Sequence, residues 1–335
     1  MTKNGDAIIN WGIIGAGIIA EKLADAVQNH QESRLAAVAS KSPERAQTFA
    51  AKFDIPKALS YDEIVADPEV DIIYVATTHN YHYDNAKLAL KAGKPVLMEK
   101  PFTVNAAEAE GLAEIARSKG LFLMEAIWVR FLPSLIKLKG FLADGAIGEV
   151  KQLVATFGNF VPPHFEERLN NPDLAGGVTL DMGIYPISFT SYVLGEIPQE
   201  VRSLARFSER GVDELANYLF RFPSGCMAQI STSFNLKMES AIRIYGSTGY
   251  IDCSPFPMAS EIRIHRHNGT NEVADTEVIR VDQAENGFIY QVAESVRCLR
   301  SGEWESPIIP VDETVALMRV MDGMRLEWGF TYPFE

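Results

Sequence analysis

The chain has only three cysteines, Cys226, Cys253 and Cys298, far apart and without CxxC spacing. Such spacing suggests neither a disulfide framework nor a cysteine-based zinc site, and structural thiols are the default. Basic runs are missing too: Lys and Arg number 31 against 44 Asp and Glu, a net charge of −13. Nucleic acids and anionic membranes reward clustered Lys and Arg, so neither is an expected partner. No window approaches a run of about 18 apolar residues, and the opening MTKNGDAIINWGIIG lacks the basic flank, long apolar core and small-residue cleavage site of a secretory signal. No repeat or low-complexity segment stands out. These absences point to a cytoplasmic chain that works on metabolites.

At 335 residues the chain has room for two domains of ordinary size. Its first part alternates apolar strand-like runs (INWGIIG, RLAAVAS, VDIIYVA, KPVLME, LFLME) with helical patterns starting near Ile18, Pro43, Ala86 and Ala106. That alternation predicts βαβ units on a doubly wound parallel sheet. Ser60 with Glu63 and Asn105 with Glu108 have capping-box spacing, and Ser42-Pro43 reads as an N-cap followed by proline at the first helical position. Beyond residue 150 the runs lengthen and alternate with period two, as in EVKQLVATFGNF and SAIRIYGSTGYIDCS, broken by Gly-containing turns. They predict an α+β domain with a mostly antiparallel sheet and helices near Val178–Val193, Gly287–Leu299 and Asp312–Trp328. The expected division is 1–125 and 126–335, with the last helix free to pack back on the first domain. A wide sheet with no helix left for its second face suggests self-association, a homodimer or higher homo-oligomer.

The segment GIIGAGIIA places Gly12, Gly15, Gly17 and Ala20 between the first strand and the first helix, with Ile18 opening that helix. Gly15 permits the tight turn, Gly17 lets backbone amides approach a pyrophosphate, and Ala20 lets helix and strand pack closely. The helix N-terminus then receives the diphosphate of a dinucleotide. After the second strand, where readers of the NAD ribose carry an acidic residue, this chain has VASKSPER. Ser40, Lys41, Ser42 and Arg45 offer hydroxyls and cations with no carboxylate to repel a 2′-phosphate, which favours NADP over NAD. Ser42 also serves as a helix cap in this reading. ATTHNYH puts Thr77, His79, Asn80 and His82 at the same carboxyl edge, as candidates to line the nicotinamide ribose. No third ligand type stands at metal spacing from the two histidines, so no metal is expected.

The stretch KPVLMEKPFTV raises a different question, because a buried strand ends by offering Glu99 and Lys100 just before a proline. Ligands of open α/β folds bind at that end of such strands. Both residues are candidates for cofactor contact, and a lysine there is placed to hydrogen-bond a ribose hydroxyl and a substrate hydroxyl. In LAGGVTLDMGIYP, Asp181 and Tyr185 are four apart and share one face of a predicted helix. Beside a dinucleotide site the pair acquires chemistry, since hydride transfer to or from an alcohol needs a proton donor or acceptor and tyrosine serves when a cation lowers its pKa.

Taken together, the glycine loop, MEKPF, GLFLMEAIWVRFLP and LAGGVTLDMGIYP resemble the glucose-fructose oxidoreductase, inositol dehydrogenase and MocA family. Within it they are most similar to the branch of dimeric dihydrodiol dehydrogenases and NADP-linked D-xylose dehydrogenases. The resemblance spans nearly the whole chain and implies a Rossmann domain followed by a mostly antiparallel α/β domain, commonly dimerised through its open sheet face. It implies that Lys100 orients the substrate and assists proton transfer, and that Tyr185 is the acid/base where many members have His, with Asp181 positioning it. Trp128 and Phe157 match aromatic positions near that branch's pocket, so with Asp181 and Tyr185 they are the candidate substrate contacts. In the loop before the glycine pair, His164, Phe165 and Arg168 either touch substrate or belong to a solvated lid. Close relatives often have Arg after the second strand where this chain has Lys41, which implies relaxed discrimination of the 2′-phosphate. The expected activity is an NAD(P)-dependent dehydrogenase acting on a sugar, polyol or dihydrodiol. A cofactor-binding sensor without turnover and a redox-neutral enzyme with tightly held cofactor are the alternatives.

Overall fold

The computed structural model describes residues 7–270 and 272–335. The described chain divides into two compact units, one running to Phe131 and including Ala284–Met318, the other made of Leu132–Gln283 and Arg319–Glu335.

In the first unit six strands form one parallel sheet in the order β3-β2-β1-β4-β5-β6. The strands are β1 (Ile9–Ile14), β2 (Ser33–Ala39), β3 (Lys57–Leu59), β4 (Ile72–Val75), β5 (Val96–Glu99) and β6 (Leu123–Ala126). Helices α1 (Ile18–Gln28), α2 (Pro43–Lys52), α3 (Tyr61–Ala66), α4 (His82–Lys91) and α5 (Ala106–Lys119) make the crossovers. Strands β4, β5 and β6 are buried throughout, as a parallel sheet covered on both faces requires. Order reverses at β1, so β1 and β4 diverge at the switch point where such sheets bind ligands. The expected caps are present: Ser60 and Glu63 form a reciprocal capping box, and the side chains of Ser42 and Asn105 accept from Arg45 and Glu108 amides. Helix α4 begins at His82, four residues before the expected start, because a short 3₁₀ turn at His79–Tyr81 leads directly into it.

The second unit holds α6 (Pro133–Ala143), β7 (Val150–Gly158), α7 (Pro163–Leu169), α8 (Ile184–Leu194), β8 (Glu200–Phe207), β9 (Asp213–Arg221), β10 (Met227–Ser233), β11 (Ala241–Gly246), β12 (Gly249–Cys253), β13 (Glu261–His267) and β14 (Val273–Arg280). The eight strands make one sheet in the order β14-β13-β12-β11-β7-β10-β9-β8, antiparallel except for the β7/β10 pair. Leu153, Ala155, Tyr218, Phe220, Ile230, Ile242, Ile244, Ile251, Ile262 and Ile264 are buried on one face, on which α6 and α8 pack. The opposite face runs in register from Arg202 through Leu219, Gln229, Val154, Arg243, Asp252 and Arg263 to Val278, with Leu204 on the same face opposite Asn217. Leu204 is 78 % exposed there and Leu219 49 %. Two closing helices, α9 (Phe288–Ser301) and α10 (Val311–Glu327), follow within two residues of the expected bounds. The first unit ends inside α10, at Met318.

Candidate active site

At the β1 turn, Gly15 has φ +106°, and a Cβ there would lie 2.5 Å from the Ala76 carbonyl oxygen and 2.9 Å from the Thr77 nitrogen. Conformation and space both exclude a side chain, since the end of β4 passes directly over the turn. Gly12 is tight for another reason, because its Cβ would meet Ile73 and Val70 in the core. Gly17 is the opposite case: φ is −105° and nothing lies within 4 Å of the Cβ position. It is the N-cap of α1, has no side-chain capping bond, and leaves open space beside the first-turn amides of that helix. That geometry fits a diphosphate, with the dipole and free N–H groups favouring the anion. Ile18 beside it is exposed, and Ala20 is fully buried where α1 packs closely.

Beyond the end of β2, the Lys41 ammonium sits 3.3 Å from the centroid of the Tyr81 ring, a cation–π contact that fixes a flexible side chain. The Tyr61 hydroxyl bonds the Lys41 backbone, and burial raises its pKa. Ser40 Oγ accepts from the Ser42 amide at 3.3 Å, while Ser42 Oγ accepts from Arg45 N and donates to Glu44 at 2.6 Å. Ser40, Lys41, Pro43, Gln47, Ser60 and Tyr61 line a cavity of about 390 Å³. Sequence reading missed Tyr61 and Tyr81 here, since neither lies near the βα turn in the chain.

Thr77 and Asn80 are half-buried; Thr77 Oγ1 accepts from the Asn85 amide at 3.2 Å and Thr78 Oγ1 donates to Asn80 Oδ1 at 2.8 Å. His79 and His82 are buried, and their rings meet edge to face at 5.6 Å. His82 Nδ1 faces the Pro101 carbonyl oxygen at 2.8 Å and its Nε2 the Thr77 carbonyl oxygen at 3.2 Å. Glu99 is buried as well, accepting from the Tyr74 hydroxyl and, at 3.1 Å, from the Lys100 amide. Lys100 itself is half-buried and precedes a cis peptide bond to Pro101. One residue further, the Phe102 amide donates to Glu125 Oε1 at 2.9 Å, and Thr314 Oγ1 donates to Glu125 Oε2 at 3.2 Å. Glu125 is 2 % exposed, and burial pushes its carboxyl up to about 7 despite Arg130 nearby. Arg130, also buried, is held by Glu313 at 2.6 Å. Trp128 stacks on Phe288 with centroids 5.5 Å apart.

In the second unit Asp181 and Tyr185 stand on a helix that starts with a π-helical turn, Thr179–Gly183, before continuing as α8. Such turns recur at functional sites, because the extra residue re-aims side chains at a cost in helix regularity. This one is held from below. Asp213 accepts from the Thr179 amide at 2.8 Å and from the Thr179 hydroxyl, which contacts Tyr218 Oη at 2.8 Å, itself 2.9 Å from Thr232 Oγ1. Burial raises the Asp213 carboxyl to about 6, opposed by the two Thr179 bonds. The glycine pair before the helix makes the approach possible, since a Cβ at Gly177 (φ +122°) would collide with Asp213 and one at Gly176 with the Leu169 carbonyl. Gly183 lies against the Tyr218 hydroxyl in the same way. Tyr332 Oη donates to Gly176 O at 2.6 Å, which ties the C-terminal segment to this turn. Arg168 pairs with Asp181 at 3.3 Å, and the Phe157 ring meets Tyr185 edge to face at 6.0 Å. His164 packs on Phe165 at 4.2 Å.

Among the described residues, no three His, Cys, Asp or Glu side chains gather into a metal-binding group, and no helix is long and apolar enough to cross a membrane. The oxidoreductase-family model for an NAD-binding Rossmann fold, GFO/IDH/MocA, matches residues 9–127, and the model for the GFO/IDH/MocA C-terminal domain matches 135–252. The chain is 35 % identical over 332 residues to the trans-1,2-dihydrobenzene-1,2-diol dehydrogenase of Mus musculus, covering 97 % of this chain and 98 % of the other. It is 35 % identical over 377 residues to the NADP(+) D-xylose 1-dehydrogenase of Hypocrea jecorina, covering 99 % and 95 %. Among solved structures, the aldose-aldose oxidoreductase of Caulobacter crescentus superposes with a TM-score of 0.85 at 26 % identity over 96 % of this chain and 98 % of that one. A 3-ketoreductase of Actinomadura kijaniata, in complex with NADP, does so with a TM-score of 0.82 at 26 % identity, over 95 % and 97 %. With a glycine turn shaped for a diphosphate and both family domains matched in order, the chain belongs to the GFO/IDH/MocA family and is an NAD(P)-dependent oxidoreductase.

Proposed function

We propose that the protein moves a hydride between C4 of nicotinamide and a hydroxyl-bearing carbon of a sugar, cyclic polyol or dihydrodiol, with NADP as the favoured cofactor. When bound, the nicotinamide supplies the hydride donor or acceptor; the chain supplies everything that handles the proton. Tyr185 exchanges the hydroxyl proton of the substrate. Lys100 orients the substrate and assists that proton transfer. Asp181, paired with Arg168, orients the tyrosine or the substrate. Trp128 and Phe157 offer apolar surface to a ring. The observation that carries this reading is the π-helical turn beneath Asp181 and Tyr185, an irregularity retained by a buried network built around Asp213 and Thr179.

Preference for NADP is argued from the Lys41 cation, fixed on Tyr81 at the end of β2. The second face of the eight-stranded sheet, which carries Leu204, Leu219, Val154 and Val278, supports a homodimer through that face, in a cytoplasmic enzyme. The test is direct. Fluorescence titration with NADPH and NADH, followed by a panel of aldoses, inositols and dihydrodiols read at the nicotinamide absorbance band, should show tighter NADPH binding and turnover of one panel member. Binding with no turnover on any of them would favour a sensor or a redox-neutral enzyme.

A further inference from the structure

The peptide unit between Pro101 and Phe102 is gripped at both ends by buried side chains from elements distant in sequence. Its carbonyl faces His82 Nδ1 at 2.8 Å, and its N–H donates to Glu125 Oε1 at 2.9 Å. Each partner is itself held: the other His82 nitrogen faces Thr77 O at 3.2 Å, and the other Glu125 oxygen accepts from Thr314 at 3.2 Å. Arg130 stands beside Glu125 and is fixed by Glu313, and the His79 ring covers that of His82. On the other side of Lys100, its own amide is taken by Glu99, which Tyr74 holds. Backbone on both flanks of Lys100 is therefore held by buried side chains, on the Glu99 side in addition to its pairing with Ala126 of β6.

We infer that His82 and Glu125 form a peptide clamp that positions Lys100, making them positioning residues for the reaction rather than groups that touch substrate. The inference rests on the reading that Lys100 assists proton transfer. A buried carboxylate and a buried imidazole are costly inside an apolar sheet edge, and each spends a hydrogen bond on the same peptide. The same His82 ring lies between that peptide and the Thr77 loop, which passes over the glycine turn, so one side chain packs against both the cofactor edge and the lysine edge.

The test compares Glu125→Leu, Glu125→Gln and His82→Leu with Lys100→Met, measuring kcat on the panel substrate and NADPH affinity for each. Glu125→Leu removes the acceptor of the Phe102 amide and should lower kcat about a hundredfold, the cost of small misplacement at a reacting centre, with NADPH affinity within about threefold of wild type. Glu125→Gln keeps an amide oxygen for that N–H and should recover kcat to within about threefold of wild type. His82→Leu should lower kcat similarly and weaken NADPH as well, because it also releases Thr77. The decisive readout is epistasis: in a Lys100→Met background, Glu125→Leu should cost nothing more. A purely structural role would reduce the rate by the same factor in both backgrounds and would overturn the clamp. Should Glu125→Leu not fold, backbone hydrogen exchange at Phe102 in Glu125→Gln replaces it, with protection retained on this account and protection lost against it. Wild-type turnover in Lys100→Met would instead refute the role of the lysine itself.

Discussion

Two glycines two residues apart should fail in different ways, and the difference tests how the cofactor turn works. Gly15→Ala places a methyl group where φ is +106° and where Ala76 O would be 2.5 Å away. The conformation alone costs about 1–3 kcal/mol, and the displaced end of β4 adds to it. A loss of about 3 kcal/mol corresponds to a fall of roughly 6 °C or more in melting temperature for a unit of this size. Gly17→Ala meets nothing within 4 Å at an accessible φ of −105°, so its stability cost is that of an N-cap glycine replaced by alanine, under about 1 kcal/mol. Its methyl group occupies the open space beside the first-turn amides instead, and NADPH affinity should fall at least about tenfold, or 1.4 kcal/mol. Thermal melts without cofactor and fluorescence titration with it separate the two effects. A Gly17→Ala protein that melts as low as Gly15→Ala, or that binds NADPH as wild type does, would refute the diphosphate site.

Glu125 makes stability depend on pH in a stated direction. Its carboxyl sits at about 7 in the folded chain against an ordinary 4.5, so between those values the folded state holds a proton that the unfolded state has released. Stability contributed at this site therefore falls as pH rises from about 4.5 to about 7, by about 3 kcal/mol in total, and Glu125→Gln should flatten that part of the profile in urea titrations. Asp213→Ala strips the Thr179 amide and hydroxyl of their acceptor and should cost about 1–3 kcal/mol, with the lost density at the π-helical turn visible in a crystal structure of the variant. A normal melt for that variant would contradict the network. Lys41→Glu puts a carboxylate where a 2′-phosphate is expected and should reverse the cofactor preference toward NADH, which paired titrations would detect.

Legibility in the sequence followed the range of the interactions. Strands β1, β2, β4, β5 and β6 could be placed because period, Gly/Pro punctuation and local caps agree within a few residues, as the Ser60/Glu63 box does for α3. The two closing helices were readable for the same reason. Helix α6 escaped notice although proline stands at its first position, since KLKGFLADG carries glycine inside it and dilutes the pattern. The π-helical turn was invisible because Asp181 and Tyr185 at four apart look like any α-helical pair, and the cause of the extra residue, Asp213, lies 34 positions on from Thr179. Glu125 left a faint signal as a lone carboxylate inside the apolar run LFLMEA, but its partners Phe102 and Thr314 lie 23 and 189 residues away. Lys41 could be read as a cation at the end of β2, whereas Tyr81, which fixes it, comes from the far side of β4. Local chemistry thus marks where a site lies, and long-range contacts decide how its residues are held.

In the proposed reaction Tyr185 carries the proton of an alcohol whose hydride moves to or from nicotinamide. The most direct measurement is the steady-state rate of Tyr185→Phe on the substrate the panel identifies, with NADPH affinity determined on the same preparation. Phenylalanine keeps the ring and its edge-to-face contact with Phe157 and removes only the hydroxyl. The prediction is a fall in kcat of about a hundredfold to ten-thousandfold with cofactor binding intact. A Tyr185→Phe protein that turns over at the wild-type rate would contradict it.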